Sequence, residues 1–218
     1  MNSVKIGTKK SRQKKRAYHH GDLKDQLVAA AEAIILERGV DGFTLREAAR
    51  RAGVSPAAPA HHFRDAKGLL GEVALRGFKA FGDALAAGDA KGGTDPQKRL
   101  AEQGYAYVDF AMRNPARFQL MFQHGKYDVE YPGLEQMGAR AFGILEGAVR
   151  AALGLRAAEP MTPDAYGYLM AVWSIVHGFS HLTLGGEFDK LPGLQGGRDA
   201  IVKTFLPPTL RRLPAPGR

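Results

Sequence analysis

The side chains best suited to contact a DNA duplex cluster in one stretch of the chain. Arg46 and Arg64 can reach phosphates or a base edge, and adjacent imidazoles can reach bases. Residues 56–62 hold no Arg, Lys, Asn or Gln, so bidentate readout of guanine or adenine is not available there. Contact between alanine and thymine methyl groups remains possible. The predicted DNA-contacting residues are Thr44, Arg46, Ser55, Pro56, Ala57, Ala58, Ala60, His61, His62, Arg64 and Lys67.

The first element that must position these side chains is a short helix beginning at Thr44. Threonine is a favoured N-cap, and Glu47 stands three residues later, where its carboxylate can reach back to the free amides. Leu45, Ala48 and Ala52 recur at helical spacing, so one face is apolar. Gly53 follows, the residue type that ends a helix in a left-handed conformation at least cost.

A second helix is predicted over 56–62. Ser55 can cap it, and Pro56 suits the first helical position, where no backbone donor is needed. Pro59 removes the first hydrogen bond within the helix, so we expect a short helix with a tight first turn. Phe63 supplies an aromatic anchor. This order predicts a helix-turn-helix over 44–63, whose second helix enters the major groove.

Two histidines elsewhere, His177 and His181, have the spacing of metal ligands on one helix face. The metalloprotease pattern requires Glu directly after the first His, and Gly178 stands there instead. The sequence also lacks a G-x-S-x-G motif and a P-loop. We therefore expect core or interface histidines, with no metal, no cofactor and no enzymatic activity.

The charge of the chain is concentrated near the helix-turn-helix. The 218 residues carry a net charge of +9, of which residues 1–67 contribute 14 basic minus 7 acidic side chains, or +7. Residues 1–18 contain seven Lys and Arg and no acid, which predicts a disordered arm. It is either a solvated tail or an arm that contacts phosphates or the minor groove.

One segment has about the length of a membrane span. Residues 165–186 contain no Asp, Glu, Lys or Arg. They also contain two histidines and four glycines. We expect a buried helix of a cytoplasmic protein. The absence of cysteine fits a reducing compartment.

Helical periodicity with glycine and proline breaks predicts an all-α chain. We expect the first helix over 22–38 and, after the helix-turn-helix, one over 66–87 that Asp65 caps. A loop is predicted over 88–96. The further predicted helices are 96–113, 115–123, 133–154, 163–185 and 197–206.

These motifs resemble the TetR family of repressors. The resemblance rests on YHHGDL at 18–23, FTLREAARRAGVS at 43–55, HHF at 61–63 and LL at 69–70, and it covers about 21–81. NPARFQLMFQ at 114–123 and AVWSIVHGF at 171–179 are similar to the branch with a WHG-type C-terminal domain. The family pattern departs at Ala60, where a Tyr is usual, and at Ala66, where a phosphate-binding Lys is usual.

The resemblance implies an all-α homodimer with an N-terminal DNA-binding domain and a larger ligand-binding domain. The expected units are a basic arm 1–18, a DNA-binding domain 21–81, a ligand-binding and dimerisation domain 88–207 and a flexible tail 208–218. Because both departures weaken phosphate anchoring, we expect the arm to compensate. The helix 163–185 is apolar all round, which favours a dimer interface shared with 197–206; a central helix of a monomer is the alternative.

The same resemblance, and not the residues themselves, implies an apolar pocket in the larger domain. Its predicted lining is Phe110, Phe118, Met121, Phe122, Met137, Phe142, Trp173 and His177. For any single one of these side chains, filling the core is the more common role. The sequence thus predicts a repressor that leaves operator DNA when a small apolar effector binds. The alternatives are a carrier or enzyme for a lipid-like molecule with a non-specific basic arm, and an architectural DNA binder.

Overall fold

A computed structural model describes residues 20–190 and 197–211 of the chain. Over these residues the fold consists of nine α-helices and three short 3-10 turns, with no strand. The α-helices are α1 His20–Arg38, α2 Leu45–Arg51, α3 Ala60–Phe63, α4 Ala66–Lys91, α5 Pro96–Arg113, α6 Pro115–Met121, α7 Leu134–Ala152, α8 Pro163–Leu184 and α9 Gly197–Arg211. The predicted all-α class is confirmed. Among the described helices, none combines the length and apolar character needed to cross a bilayer.

Helix starts follow the capping signals of the sequence. The side chains of Thr44, Asp65, Asp95 and Thr162 accept hydrogen bonds from amides in the first turns of α2, α4, α5 and α8. Each bond satisfies a donor that has no partner within the helix. Prolines occupy the first positions of α5, α6 and α8, where no amide donor is needed.

Several predicted boundaries need correction. Helix α4 continues into the predicted loop 88–96 and ends at Lys91, because Gly88 packs closely against α5. Helix α9 runs past 206 through Pro207 and Pro208 to Arg211. The predicted basic arm 1–18 lies outside the described residues, as does the tail beyond Arg211.

A core of α1, α2, α3 and the first half of α4 supports the helix-turn-helix. It buries Leu27, Ile34, Phe63 and Leu69. The same core includes Leu120 of α6, with Tyr127 and Leu134 beyond it. The N-terminal helical unit therefore packs directly on the larger helical domain, in addition to its covalent link through α4.

A second core lies between α4, α5, α6, α7, α8 and α9. It includes Phe81, Tyr107, Phe118 and Leu206, of which Phe118 and Leu206 are fully buried. Helix α4 contributes to both cores, so its two halves stabilise different parts of the molecule. Any tilt of α4 must therefore disturb the packing of both.

Candidate DNA-binding surface and ligand cavity

Helix α2 begins as its sequence predicts, but Glu47 has a different role. The amide of Glu47 donates to Oγ1 of Thr44 at 3.2 Å. The carboxylate of Glu47 accepts from Arg50 at 2.8 Å and from Arg51 at 3.0 Å instead of returning a bond to the cap. These two guanidinium groups, Arg50 first, lower the pKa of Glu47 to about 2. The charge of Arg50 is thereby partly balanced within the protein.

The predicted second helix over 56–62 is wrong in extent, because α3 begins only at Ala60. Residues 56–59 form turns, and the cap position belongs to Pro59 and not to Ser55. Pro59 cannot donate to the carbonyl of Ser55, so the amide of Ala58 does so, at 3.0 Å. This bond joins residues three apart, so the tight first turn expected from Pro59 is confirmed. Gly53 has a φ of +68°, as its place in the turn predicts.

The predicted DNA-contacting residues differ in exposure. Two are half-buried: Ala58 packs on the N-terminal core, and the ring of His62 lies 6.2 Å from that of Phe63. The exposed ones are Thr44, Arg46, Ser55, Pro56, Ala57, Ala60, His61, Arg64 and Lys67. The outward surface around α3 is therefore made by small side chains and the imidazole of His61.

Arg64 occupies an unusual backbone conformation directly after α3. Its φ is +61°, and the amide of Asp65 donates to the carbonyl of Phe63 at 2.6 Å, which closes a γ-turn. A non-glycine residue in this region is strained. The guanidinium lies 3.2 Å from Asp128 of the larger domain. Arg64 therefore joins the end of α3 to the segment that connects α6 to α7.

That segment, residues 122–133, forms further contacts with the N-terminal helical unit. The amide of Asp128 donates to the carbonyl of Lys67 at 3.1 Å. Lys126 forms an ion pair with Asp41. We refer to residues 122–133 as the α6–α7 connection.

The buried carboxylate of Glu72 ties the connection to α1 and α4. It accepts bonds from Lys24 of α1 and Arg76 of α4, each at 2.8 Å, and from the hydroxyl of Tyr131 at 2.7 Å. Burial raises the pKa of Glu72, and the bonds from Lys24, Tyr131 and Arg76 together outweigh it and lower the pKa. The group is therefore held as a carboxylate between three elements.

A cavity of about 240 Å³ lies inside the larger domain. Helices α4, α5, α7, α8 and α9 contribute to its wall, together with the first residues of the α6–α7 connection. The lining residues are Phe78, Phe81, Leu85, Leu100, Gln103, Gly104, Tyr107, Phe122, His124, Gly138, Ala141, Phe142, Leu145, Val172, Trp173, Val176 and Leu210. The lining is mostly apolar, as small-molecule sites generally are.

The structure brings three of the eight predicted pocket residues to this wall: Phe122, Phe142 and Trp173. The remaining five do not line it. Phe110, Phe118 and Met121 are buried in the core around the cavity, and Met137 is half-buried on α7. His177 lies behind the wall, in contact with the lining residues Tyr107, Phe122 and Trp173.

A hydrogen-bonded group of aromatic side chains stands at one side of the cavity. The indole Nε1 of Trp173 donates to the hydroxyl of Tyr107 at 3.4 Å, and that hydroxyl lies 2.7 Å from Nδ1 of His177. The hydroxyl oxygen has two lone pairs, so the donor in its bond with His177 is set by the tautomer of the imidazole. Burial, with the neighbouring His181, lowers the pKa of His177 and keeps it neutral.

The polar residues that join these parts were not predicted from the sequence. Gln103, Tyr107 and Glu72 lie on helices among ordinary polar and apolar neighbours. A polar residue at a core position of a helical repeat is the one available signal. Glu72 carries this signal, because it is a charged residue between Gly71 and Val73 in a run of buried positions.

Family models match both halves of the chain. Residues 27–73 match the model described as bacterial regulatory proteins, tetR family, and residues 100–204 match that of a tetracyclin repressor-like C-terminal domain. The second match includes residues 114–123 and 171–179, the two segments that resemble the branch with a WHG-type C-terminal domain. The two models agree with the order of units in the structure.

Individual relatives agree with these matches. The chain is 23% identical over 188 residues to the uncharacterized HTH-type transcriptional regulator YobS of Bacillus subtilis, covering 83% of this chain and 88% of YobS. A Rhodococcus sp. RHA1 protein of unknown function is 30% identical, with a TM-score of 0.68 over 90% of this chain and 98% of that one. A tetR-family regulatory protein from Rhodococcus RHA1 shares the fold, with 19% identity and a TM-score of 0.66 over 88% and 97% of the two chains.

Proposed function

Because the chain belongs to the TetR family of DNA-binding transcriptional regulators, we propose that it is a repressor whose affinity for operator DNA falls when a small apolar molecule binds in the cavity. One observation carries the ligand response. The α6–α7 connection supplies Phe122 and His124 to the cavity wall and, a few residues later, contacts the DNA-binding unit through Asp128 and Tyr131.

The proposed DNA contact uses the exposed surface around α3. Ala57 and Ala60 offer methyl groups to thymines, and His61 offers a polar contact to a base or phosphate. Arg46 and Lys67 are exposed on either side, where they can bind phosphates. With no bidentate side chain on α3, much of the affinity must come from phosphates and must depend strongly on salt. The basic residues 1–18 are proposed to add to this contribution.

The proposed assembly is a homodimer formed through α8 and α9. Within the single chain, Tyr166, Met170 and Leu182 of α8 and Phe205 of α9 are between 37% and 49% exposed. Gly178 lies one turn before Leu182 on α8, and a Cβ added to it would meet no atom within 4 Å, so a partner helix can approach closely. A two-fold dimer repeats the DNA-binding surface and suits a pseudo-palindromic operator.

The proposed coupling acts through the α6–α7 connection and α4. A ligand between Phe122 and the facing helices displaces the connection, and Asp128 and Tyr131 transmit that displacement to Arg64 and Glu72. Helix α4 tilts, and the separation of the two α3 helices changes. The ligand can shift this equilibrium only by the difference between its affinities for the two states.

The test is a nuclease footprint on the DNA adjoining the gene. A repressor of this kind protects two half-sites whose centres are about 34–36 Å apart, or a multiple of that distance. Uniform weak protection would support the architectural alternative, and absence of binding would support the carrier.

A pair of charge variants refines the footprint. Arg46→Ala is expected to lower operator affinity. It should also reduce the slope of log affinity against log salt concentration by about one, the contribution of one phosphate contact. Arg156→Ala removes the same charge from a side chain that is 90% exposed in the larger domain and leaves affinity unchanged. Equal effects of the two substitutions would show that only net charge matters.

A further inference from the structure

Arg64 stands between the end of α3 and the cap of α4, in a backbone conformation that few residues adopt. Its φ and ψ are +61° and −58°, the region of the γ-turn in which a non-glycine residue is strained. Glycine adopts this region without a clash at Cβ. Because glycine would remove the strain, the presence of an arginine side chain here requires an explanation.

The guanidinium of Arg64 is held loosely by two carboxylates. Its Nε lies 3.3 Å from Asp65 and its Nη2 lies 3.2 Å from Asp128, whereas charge-assisted bonds of this kind are usually about 2.7–2.9 Å long. A second ion pair between the N-terminal unit and the larger domain, Arg117 with Glu32, measures 2.7 Å. Within the described part of the chain, the bonds of Arg64 use two of its five N–H donors. Donors therefore remain for another anion.

The position of Arg64 makes a DNA phosphate the natural second anion. Its side chain is 76% exposed, so an anion from solvent can reach the guanidinium, and an exposed ion pair holds it only weakly. Arg64 follows α3 directly, and Lys67 is exposed three residues later. A duplex bound against α3 therefore brings its phosphates close to both cations.

Asp128 has other bonds that hold it in place when Arg64 leaves. Its amide donates to the carbonyl of Lys67 at 3.1 Å, and its Oδ1 accepts from the amide of Glu130 at 3.1 Å. The other oxygen, Oδ2, faces Arg64. The carboxylate is thus an anion fixed beside the guanidinium, and it belongs to the same α6–α7 connection that contributes to the cavity wall.

We propose that Asp128 competes with a DNA phosphate for Arg64, so that their ion pair is an autoinhibitory contact between the larger domain and the DNA-binding surface. On DNA, Arg64 exchanges the carboxylate for a phosphate oxygen. The inference rests on the proposed function, since it names a residue through which the α6–α7 connection lowers DNA affinity. A ligand that moves the connection toward Arg64 shortens the 3.2 Å contact, strengthens the competitor and weakens DNA binding.

The experiment measures binding of the full-length protein to two duplexes by fluorescence anisotropy at several salt concentrations. One duplex carries the site protected in the footprint, and the other has a random sequence of the same length, because phosphate contacts do not depend on sequence. Asp128→Asn removes the competing charge and keeps Oδ1 as the acceptor for Glu130. We expect it to raise affinity for both duplexes about 1.5- to 5-fold, the range that an exposed ion pair is worth.

Further variants assign this gain to Arg64. Glu130→Gln removes the same charge from an exposed position two residues along the connection and should raise affinity less, since only long-range repulsion of phosphate is relieved. Arg64→Gly should lower affinity roughly 2- to 10-fold and reduce the salt slope by about one. In the Arg64→Gly background, Asp128→Asn should raise affinity no more than Glu130→Gln does.

Thermal unfolding separates this role of Arg64 from a structural one. Because glycine relieves the strain at a φ of +61°, Arg64→Gly is expected to keep the Tm at or above that of the unsubstituted protein while it binds DNA more weakly. A lower Tm with unchanged affinity would make Arg64 a structural link and overturn the inference. The inference is also overturned if the gain from Asp128→Asn is absent, equals that from Glu130→Gln, or persists without Arg64.

The two duplexes separate this inference from the proposed function. If the footprint shows no discrete site, the repressor fails, and the same variants still test the competition on the random duplex at low salt. If a discrete site is found and Asp128→Asn binds it no more tightly than the unsubstituted protein, the repressor stands and the competition fails. Absence of binding to any duplex overturns both.

Discussion

The clearest test of the contact between the two domains is the substitution Glu72→Gln. The carboxylate is 5% exposed and receives bonds from Lys24, Arg76 and Tyr131. Glutamine keeps the shape but removes the charge, and one of its two terminal atoms becomes a donor facing other donors. The substitution therefore isolates the electrostatic part of this contact.

The expected loss of stability follows from the two charged partners. A hydrogen bond between charged groups stabilises by about 1.5–3 kcal/mol, against about 1 kcal/mol for a neutral one. The side chains of Lys24 and Arg76 are 37% and 31% exposed. Hydrogen bonds to water therefore replace part of the interaction that each loses with the carboxylate. We expect the free energy of unfolding to fall by about 2 kcal/mol at pH 7, which corresponds to a lower Tm by roughly 4–8 °C for a chain of this size.

The effect of Glu72→Gln depends on pH with a definite sign. The pKa of Glu72 is lower in the folded protein than its ordinary value of 4.5, so its stabilisation is complete above about pH 4.5 and is lost as pH falls through the folded pKa. The difference between the two proteins should therefore shrink in acid. Urea unfolding at several pH values, followed by Trp173 fluorescence, measures it.

The control is Asp109→Asn, which neutralises an exposed carboxylate paired with Arg113 and should change stability little. Replacement of a buried ion pair can be neutral or stabilising when desolvation dominates. If Glu72→Gln were as stable as the original protein at pH 7, desolvation would outweigh pairing at this site, and the stabilising role assigned to the carboxylate would be wrong.

Three further predictions concern single features. Gly53→Ala should cost about 1–2 kcal/mol of unfolding free energy, since the added Cβ meets no atom but φ is +68°; Gly147→Ala, inside α7 with equally open surroundings, should instead stabilise in the same urea assay. Phe118→Ala should cost about 3–5 kcal/mol because the side chain is fully buried, and a loss below about 1 kcal/mol by calorimetry would contradict its place in the core. Deletion of residues 1–16 should lower operator affinity and its salt slope; unchanged values in a binding titration would rule out the compensating arm.

Local signals predicted most helix starts correctly. Thr44 and Asp65 cap their helices because each side-chain oxygen accepts from the amide three residues later, a partner within the same first turn. The turn at Gly53 depends on its own backbone alone. The predicted start of the second motif helix failed because Pro56 and Pro59 act together: the second proline removes the bond that the first turn would need, so regular helix is delayed to Ala60.

The lining of the cavity could be predicted only in part. Phe118 and Phe122 both belong to the segment chosen from the sequence, yet Phe118 is buried in the core and Phe122 lines the cavity. Periodicity tells which side of a helix is apolar. It does not tell how far the opposite helix stands, which depends on crossing angles and on close contacts such as Gly104 with Leu210.

Residues near one another in the chain were enough to predict the all-α class, the caps and breaks of the helices, the helix-turn-helix and the family. Three other properties emerge only in the folded molecule: Glu72 joins three elements, α3 exposes His61 and packs His62, and Gln103 bonds Asp89 and Ile144. Two of them depend on residues distant in sequence, Glu72 with Tyr131 and Gln103 with Ile144. The energies of such contacts depend on distance and on exclusion of water, and both are set only when the helices pack.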